Sequence, residues 1–186
     1  MISVSAQIAP TAPPRASFAT AIMGGRDKPG HDGQGTEEGL LNFTFHPASA
    51  SDLETLVALR IVALRESLER VGRFTRERAR ARFIASFRPE HTRLIRVGPA
   101  LAGCVAFGPR EEAWEIEHFY LDPAFQGAGL GGAVMTALLA EADAAGHAVA
   151  LTVLEMSDAN RFYARFGFAE TGREGVDIFR RRPTPP

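Results

Sequence analysis

Gly127, Gly129, Gly131 and Gly132 fall within six consecutive positions, in the run QGAGLGG that opens an apolar stretch beginning near Leu130. Residues without a Cβ let backbone N–H groups approach a ligand with no side chain in the way. A helix starting there would add the positive end of its dipole, so the turn suits an anion such as phosphate. No acidic residue occurs between Asp122 and Glu141 to repel one. Just upstream, Trp114 to Leu121 has strand character, and its period of two puts Glu115 and Glu117 on one face and His118 on the other. Carboxylates so placed can take a proton from a nucleophile, or can simply be solvated or paired with arginine. The single cysteine, Cys104, sits in apolar AGCVAF and reads as a buried structural thiol rather than a nucleophile.

A P-loop would need Gly-Lys-Ser/Thr after the glycines, and none follows. The dinucleotide fingerprint G-x-G-x-x-G is matched by Gly127, Gly129 and Gly132, with Glu155 at the end of the next strand-like run, where an NAD-binding oxidoreductase carries a ribose-binding acid. Against it, Asp122-Pro123-Ala124-Phe125-Gln126 separates the glycines from the strand. Only 31 residues follow Glu155, too few for the further strand-helix units of a doubly wound domain.

The elements that must position these residues can be read from the rest of the chain. With 186 residues there is room for one domain with a single core. The balance of 21 basic and 22 acidic residues gives no overall reason to expect nucleic acid or an anionic membrane as partner. No apolar run approaches the roughly 18 to 20 residues of a membrane span. A lone cysteine fits a reducing, cytoplasmic setting, and no metal site is expected. Residues 1–40, rich in Ala, Ser, Pro and Gly, read as a disordered leader and a poor secretory signal; the domain is expected over 41–183.

LLNFTFHPA gives a first strand ending at Pro47. Ser51-Asp52-Leu53-Glu54 predicts a capping box, followed by a helix with Leu53, Leu56, Val57, Leu64 and Leu68 on its apolar face and an end near Val71-Gly72. A second helix is expected from an N-cap at Thr75, burying Phe83, Ile84 and Phe87 before Pro89. From Arg60 to Glu90 nine arginines face four glutamates. They form either a solvated helical face with pairs such as Glu66 to Arg70 and Glu69 to Arg73, or an acceptor-binding or phosphate-steering surface.

HTRLIRVGPALAGCVAFGPR predicts a hairpin turning at Gly98-Pro99, and Trp114 to Leu121 extends it into a meander. Leu130, Val134 and Leu138 mark a helix that Gly146 ends. HAVALTVLE then reads as a strand buried on both faces and parallel to Trp114–Leu121, completing a strand-helix-strand unit. A short helix through Asn160 to Ala164, capped by Ser157 or Asp158, and a closing hairpin of GFAETG with VDIFRR complete the chain.

Gln126-Gly127-Ala128-Gly129-Leu130-Gly131 matches the Arg/Gln-x-x-Gly-x-Gly/Ala signature of the GNAT superfamily of acetyl-CoA-dependent N-acyltransferases. HFYLDPAF looks like the strand and corner that precede that family's pyrophosphate loop. Ala159 to Phe168 is similar to its A-x-x-(L/F)-Y-x-x-x-G-F segment. The chain departs from the family at Ser157, where members often carry Asn. The resemblance runs from about Leu40 to Pro183 and implies an α/β (α+β) fold with a mixed, mostly antiparallel sheet, a central parallel pair and flanking helices.

That resemblance implies an acetyltransferase using acetyl-CoA as co-substrate and an amine of a small molecule or peptide as acceptor, with direct attack in a ternary complex. A free alkyl ammonium has a pKa of about 10, so a base is useful. Glu115 lies eleven residues before Gln126, where several resembling enzymes carry theirs, and Glu117 is its reserve. Tyr163 matches the tyrosine that lies near the cofactor sulfur and can protonate the departing thiolate; packing alone is its other reading. The backbone of Phe119, Tyr120 and Leu121 would pair with the pantetheine arm. Gln126, Gly127, Ala128, Gly129, Leu130 and Gly131, with Gly132 behind them, would hold the pyrophosphate. The contrasting class is a non-catalytic acyl-CoA-binding module. A homodimer is compatible with the sequence but not specified by it.

Overall fold

A computed structural model describes residues 42–70, 75–110 and 112–185. Its elements are β1 (Phe43–Pro47), α1 (Leu53–Arg70), α2 (Arg76–Ser86), β2 (Thr92–Val97), β3 (Ala100–Pro109), β4 (Trp114–Leu121), α3 (Leu130–Ala144), β5 (Val149–Leu154), α4 (Ala159–Arg165), β6 (Ala169–Glu174) and β7 (Asp177–Arg182). Short connections join β2, β3 and β4 into the expected meander. Among the described residues seven strands lie in the order β1-β2-β3-β4-β5-β7-β6, and only β4 and β5 pair in parallel. This is the mixed α/β, mostly antiparallel sheet with a central parallel pair that the sequence implied. The last hairpin enters with its second strand beside β5, so β6 becomes the edge.

Each face of the sheet has its own core. On one side α1 and α2 bring Leu56, Val57, Leu64 and Phe83 down onto Leu94, Cys104 and Tyr120. On the other, α3 and α4 lay Leu130, Val134, Leu138 and Tyr163 over Ile95, Val105, Ile116, Phe119 and Leu151. Arginines pin this second layer to the strands: Arg93 of β2 makes a two-pronged ion pair with Glu141 of α3, at 2.6 and 2.7 Å, while lying over the rings of Phe45 and Phe107. Arg182 of β7 grips Asp143 of α3 in the same way.

Several local expectations need correction. The capping box sits two residues earlier than predicted, because a short 3-10 turn precedes α1: the Ser49 amide donates to the Asp52 carboxylate at 2.8 Å, and Glu54 instead reaches Arg80 of α2. Ile84 is exposed, since the inward face of α2 is set by Ala79, Phe83 and Ser86. β5 alternates between buried and half-buried residues; α1 and α2 cover β2 to β4 but leave the Ala150 and Thr152 side of β5 uncovered. Thr75 caps α2 as expected, accepting from the Arg78 amide, and at the start of α4, whose N-cap position is Asp158, the Ser157 hydroxyl accepts from the Ala159 amide. The helix end at Val71-Gly72, the Glu66–Arg70 and Glu69–Arg73 pairs, the Leu68 side chain and segment 1–40 lie outside what is described.

Candidate active site

β4 and β5 pair only from Trp114 to Ile116, opposite Val149 to Leu151. Beyond Ile116 the two strands part, and among the described residues no strand pairs with the β4 edge from Glu117 to Leu121 on that side. A bulge in β4 coincides with the parting. Cys104 pairs with Tyr120 and Ala106 with Glu117, so His118 and Phe119 together stand opposite Val105 alone. His118 takes a left-handed φ of 50°, the only non-glycine among the described residues to do so.

The extra residue breaks the alternation of the strand. Glu115 and Glu117 share a face as expected. His118 does not point to the other one, and that expectation is overturned: it packs on the Phe83 ring of α2 at 4.5 Å, beside Tyr120. Glu115, Glu117, His118 and Tyr120 therefore all look toward α1 and α2, while Ile116, Phe119 and Leu121 look toward α3.

The two carboxylates differ in their surroundings. Glu117 is 2 % exposed and held from both sides, by Arg88 at 2.7 Å and by Arg110 at 3.1 and 3.2 Å. Glu115 receives Arg110 Nε at 3.1 Å and lines a groove of about 280 Å³ on the uncovered side of β5 and β7, with Thr152, Phe179 and Arg181. His118 is engaged at both nitrogens, by Ser86 Oγ at 2.7 Å and the Tyr120 hydroxyl at 3.3 Å. Burial, with Arg60 next in weight, pushes its pKa down to about 3, so it is neutral near pH 7 and a weak base.

The glycine turn follows the parted end of β4. The Asp122 amide donates to the Ala102 carbonyl, the Asp122 carboxylate caps the Ala124 amide, and the Gln126 side chain donates back to the Leu121 carbonyl at 2.8 Å. Gly127 and Gly129 both have positive φ, 79° and 87°, and a Cβ at either would meet nothing within 4 Å. The glycines thus answer a conformational demand, and the space in front of them is open. Gly129 caps α3, whose first turn carries no acid. The free N–H groups there and the dipole fit a pyrophosphate.

Tyr163 of α4 lies on the α3 side of the sheet, fully buried, its ring edge-on to Phe162 and Phe168, and its hydroxyl has no hydrogen-bond partner. Burial raises its pKa well above the ordinary tyrosine value, and the Tyr120 hydroxyl raises it further. A buried, protonated donor with no acceptor fits the end of a cofactor arm where a thiolate departs.

The sequence reading missed Ser86, Arg110 and Asn160, and took Arg60 and Arg88 only as two of nine arginines in the run from Arg60 to Glu90. Asn160 ties the carbonyls of Leu154, Glu155 and Ser157 together and accepts from Arg180, fixing the start of α4 against β5 and β7. Arg60 alone had a visible signal, since it lies three and four residues from Val57, Leu56 and Leu64 in the apolar stripe of α1. Cys104 is buried and its thiol pushed up to about 12, in keeping with a structural role. Glu155, the supposed ribose ligand, pairs with Arg173 at 2.7 Å. Among the described residues no group of three or more metal-binding side chains occurs, and no helix is long and apolar enough to cross a membrane.

The family model of the acetyltransferase (GNAT) domain matches residues 64–178. Solved structures share the fold. PH1933 from Pyrococcus horikoshii OT3 aligns with a TM-score of 0.64 and 20% identity over 78% of this chain and 100% of its own. The PaiA N-acetyltransferase from Thermoplasma acidophilum, solved in complex with coenzyme A, gives 0.63 and 16% over 76% and 99%. Ard1 from Thermoplasma volcanium gives 0.58 and 22% over 77% and 99%. No curated protein matches the chain. The matched segment is more than half of the sequence and includes the bulged strand, the glycine turn and α4, and by it the chain belongs to the GNAT acetyltransferase family, as an acyltransferase with acetyl-CoA for its co-substrate.

Proposed function

We propose that the chain transfers the acetyl group of acetyl-CoA to a primary amine of a small molecule or peptide, by direct attack in a ternary complex, within a domain spanning residues 41–183. The pantetheine arm would lie along the β4 edge from Phe119 to Leu121, which no strand among the described residues occupies on that side. The Gln126–Gly132 turn would hold the pyrophosphate through its N–H groups. The acceptor would enter from the α1 and α2 side, by the groove beside β5.

The observation that carries this reading is the contrast between the two carboxylates. Glu117 is buried between two guanidiniums, whereas Glu115 is about one fifth exposed and lines the groove. Glu115 therefore takes the proton from the acceptor ammonium, directly or through water, and Glu117 positions Arg110 beside it. As the nitrogen–carbon bond forms and the carbon–sulfur bond breaks, Tyr163 donates to the departing sulfur. Glu115→Gln should lower kcat by about 10²- to 10⁴-fold, the usual range for losing a general base. Thiol release from acetyl-CoA across a panel of amines tests this. A chain that binds acetyl-CoA yet frees no thiol with any amine is a non-catalytic acyl-CoA-binding module instead.

A further inference from the structure

Three guanidiniums press on His118 from the α1 and α2 side of β4: those of Arg60, Arg88 and Arg110. Among the described residues two carboxylates answer them. Arg88 and Arg110 share Glu117, and Arg110 also holds Glu115. Arg60 is 4 % exposed and forms no ion pair with a carboxylate among the described residues. Its Nη1 donates to the Tyr120 hydroxyl, its carbon Cζ sits 5.4 Å from the centre of that ring, and its Nε is buried without a partner.

The neighbours do not cancel this charge. Tyr120 is pushed up to about 12 by burial and stays a neutral phenol, and His118 is neutral as well. Burial raises the carboxyl of Asp177, the buried acid of β7, and Arg82 opposes that rise. Among the described residues the cluster thus keeps one surplus positive charge in a desolvated place, where an unmatched ion is costly. Tyr120, which Arg60 holds, borders the gap where β4 and β5 part.

We propose that Arg60 is an acceptor-recognition residue and that the acceptor is an amine which also carries a carboxylate, its anion neutralising the Arg60 guanidinium while its nitrogen faces Glu115. This rests on the acetyl-transfer reading and narrows it. A carboxylate supplies the missing negative charge, and the fork of a guanidinium suits it in particular.

The test measures thiol release from acetyl-CoA with matched acceptors that differ only at the acid: glycine, β-alanine, γ-aminobutyrate and the other common amino acids, each beside its primary amide. The acids should exceed their amides in kcat/KM by about tenfold to a hundredfold for at least one spacing, the value of a charge-assisted pair. In Arg60→Gln that preference should vanish, the acids falling to the level of their amides; Arg60→Lys should keep part of it. Release with amides equal to or better than their acids overturns the inference and leaves acetyl transfer standing. An equal loss for acids and amides in Arg60→Gln also overturns it, since Arg60 would then serve the reaction or the fold. No release with any amine removes the acetyl-transfer reading itself. The wild-type comparison needs no variant, so a misfolded Arg60→Gln does not rescue the idea.

Discussion

His118 shows how one residue's environment sets a pH dependence for the whole fold. Its pKa falls to about 3 in the folded chain, against about 6.5 for an unperturbed imidazole. Between those values the unfolded chain binds a proton that the folded chain refuses, so stability falls as pH drops through that window. The slope should approach about 1.4 kcal/mol per pH unit while this group titrates alone. Denaturant melts from pH 7.5 to 4.5 measure it, and His118→Asn should flatten the curve; an unchanged slope would mean that the ring does charge in place. Tyr163 gives a second prediction at this scale. Tyr163→Phe removes one hydroxyl that has no partner to lose, so folding should be unaffected. Turnover should fall by less than about a hundredfold, because a thiol of pKa about 8.5 leaves without much help. A variant as fast as wild type reduces Tyr163 to packing. Tyr163 and Glu115 could be singled out as candidates because each stands in a local motif or at a fixed spacing. Arg88 and Arg110 could not, since they meet Glu117 only when chain segments 29 and 7 residues away converge on it.

At the scale of elements, the glycine turn, the strand-helix-strand unit and the final hairpin were readable because each rests on periodicity or turn chemistry within a few residues. The bulge in β4 was not. Bulges that need a left-handed residue usually announce themselves with glycine, and here His118 takes that conformation instead. That single irregularity turned His118 toward α2 and put four polar side chains on one face. The attachment of α3 to the sheet was equally hidden, because the Arg93–Glu141 pair spans 48 residues. The hydrogen bonds from Arg93, and secondarily its charge, hold the Glu141 carboxyl below its usual range, and Arg182 does the same for Asp143. A depressed carboxylate adds stability that is full above its unfolded pKa of about 4 and is lost as pH falls through the folded value. Glu141→Gln should therefore cost no more than about 1 kcal/mol at pH 7, given its partial exposure, and less at pH 3. An equal cost at both pH values in denaturant melts would assign the effect to shape rather than charge.

Over the whole molecule, one sheet separates two helical layers, and the proposed cofactor track runs through the place where that sheet opens. A ligand seated there would touch the β4 edge, the start of α3 and Tyr163 of α4 at once, so binding should be read by global stability. Saturation by acetyl-CoA at a hundred times its dissociation constant adds about 2.7 kcal/mol. For a domain of this size that corresponds to a rise in melting temperature of about 5 to 10 °C. NAD at the same concentration should give none, since Glu155 is engaged by Arg173 and a single strand-helix-strand unit offers no second nucleotide half. Gly129→Ala locates the effect. It forces a Cβ into a φ of 87° at the head of α3 without striking any neighbour, so the unliganded protein should lose only about 1 kcal/mol. The acetyl-CoA shift should shrink by more than that loss, because the strained residue is the one that presents the first N–H groups of α3. If the variant keeps the full shift, those N–H groups do not bind the pyrophosphate. If the wild-type chain shows no shift at millimolar acetyl-CoA, the opening between β4 and β5 is not the cofactor track.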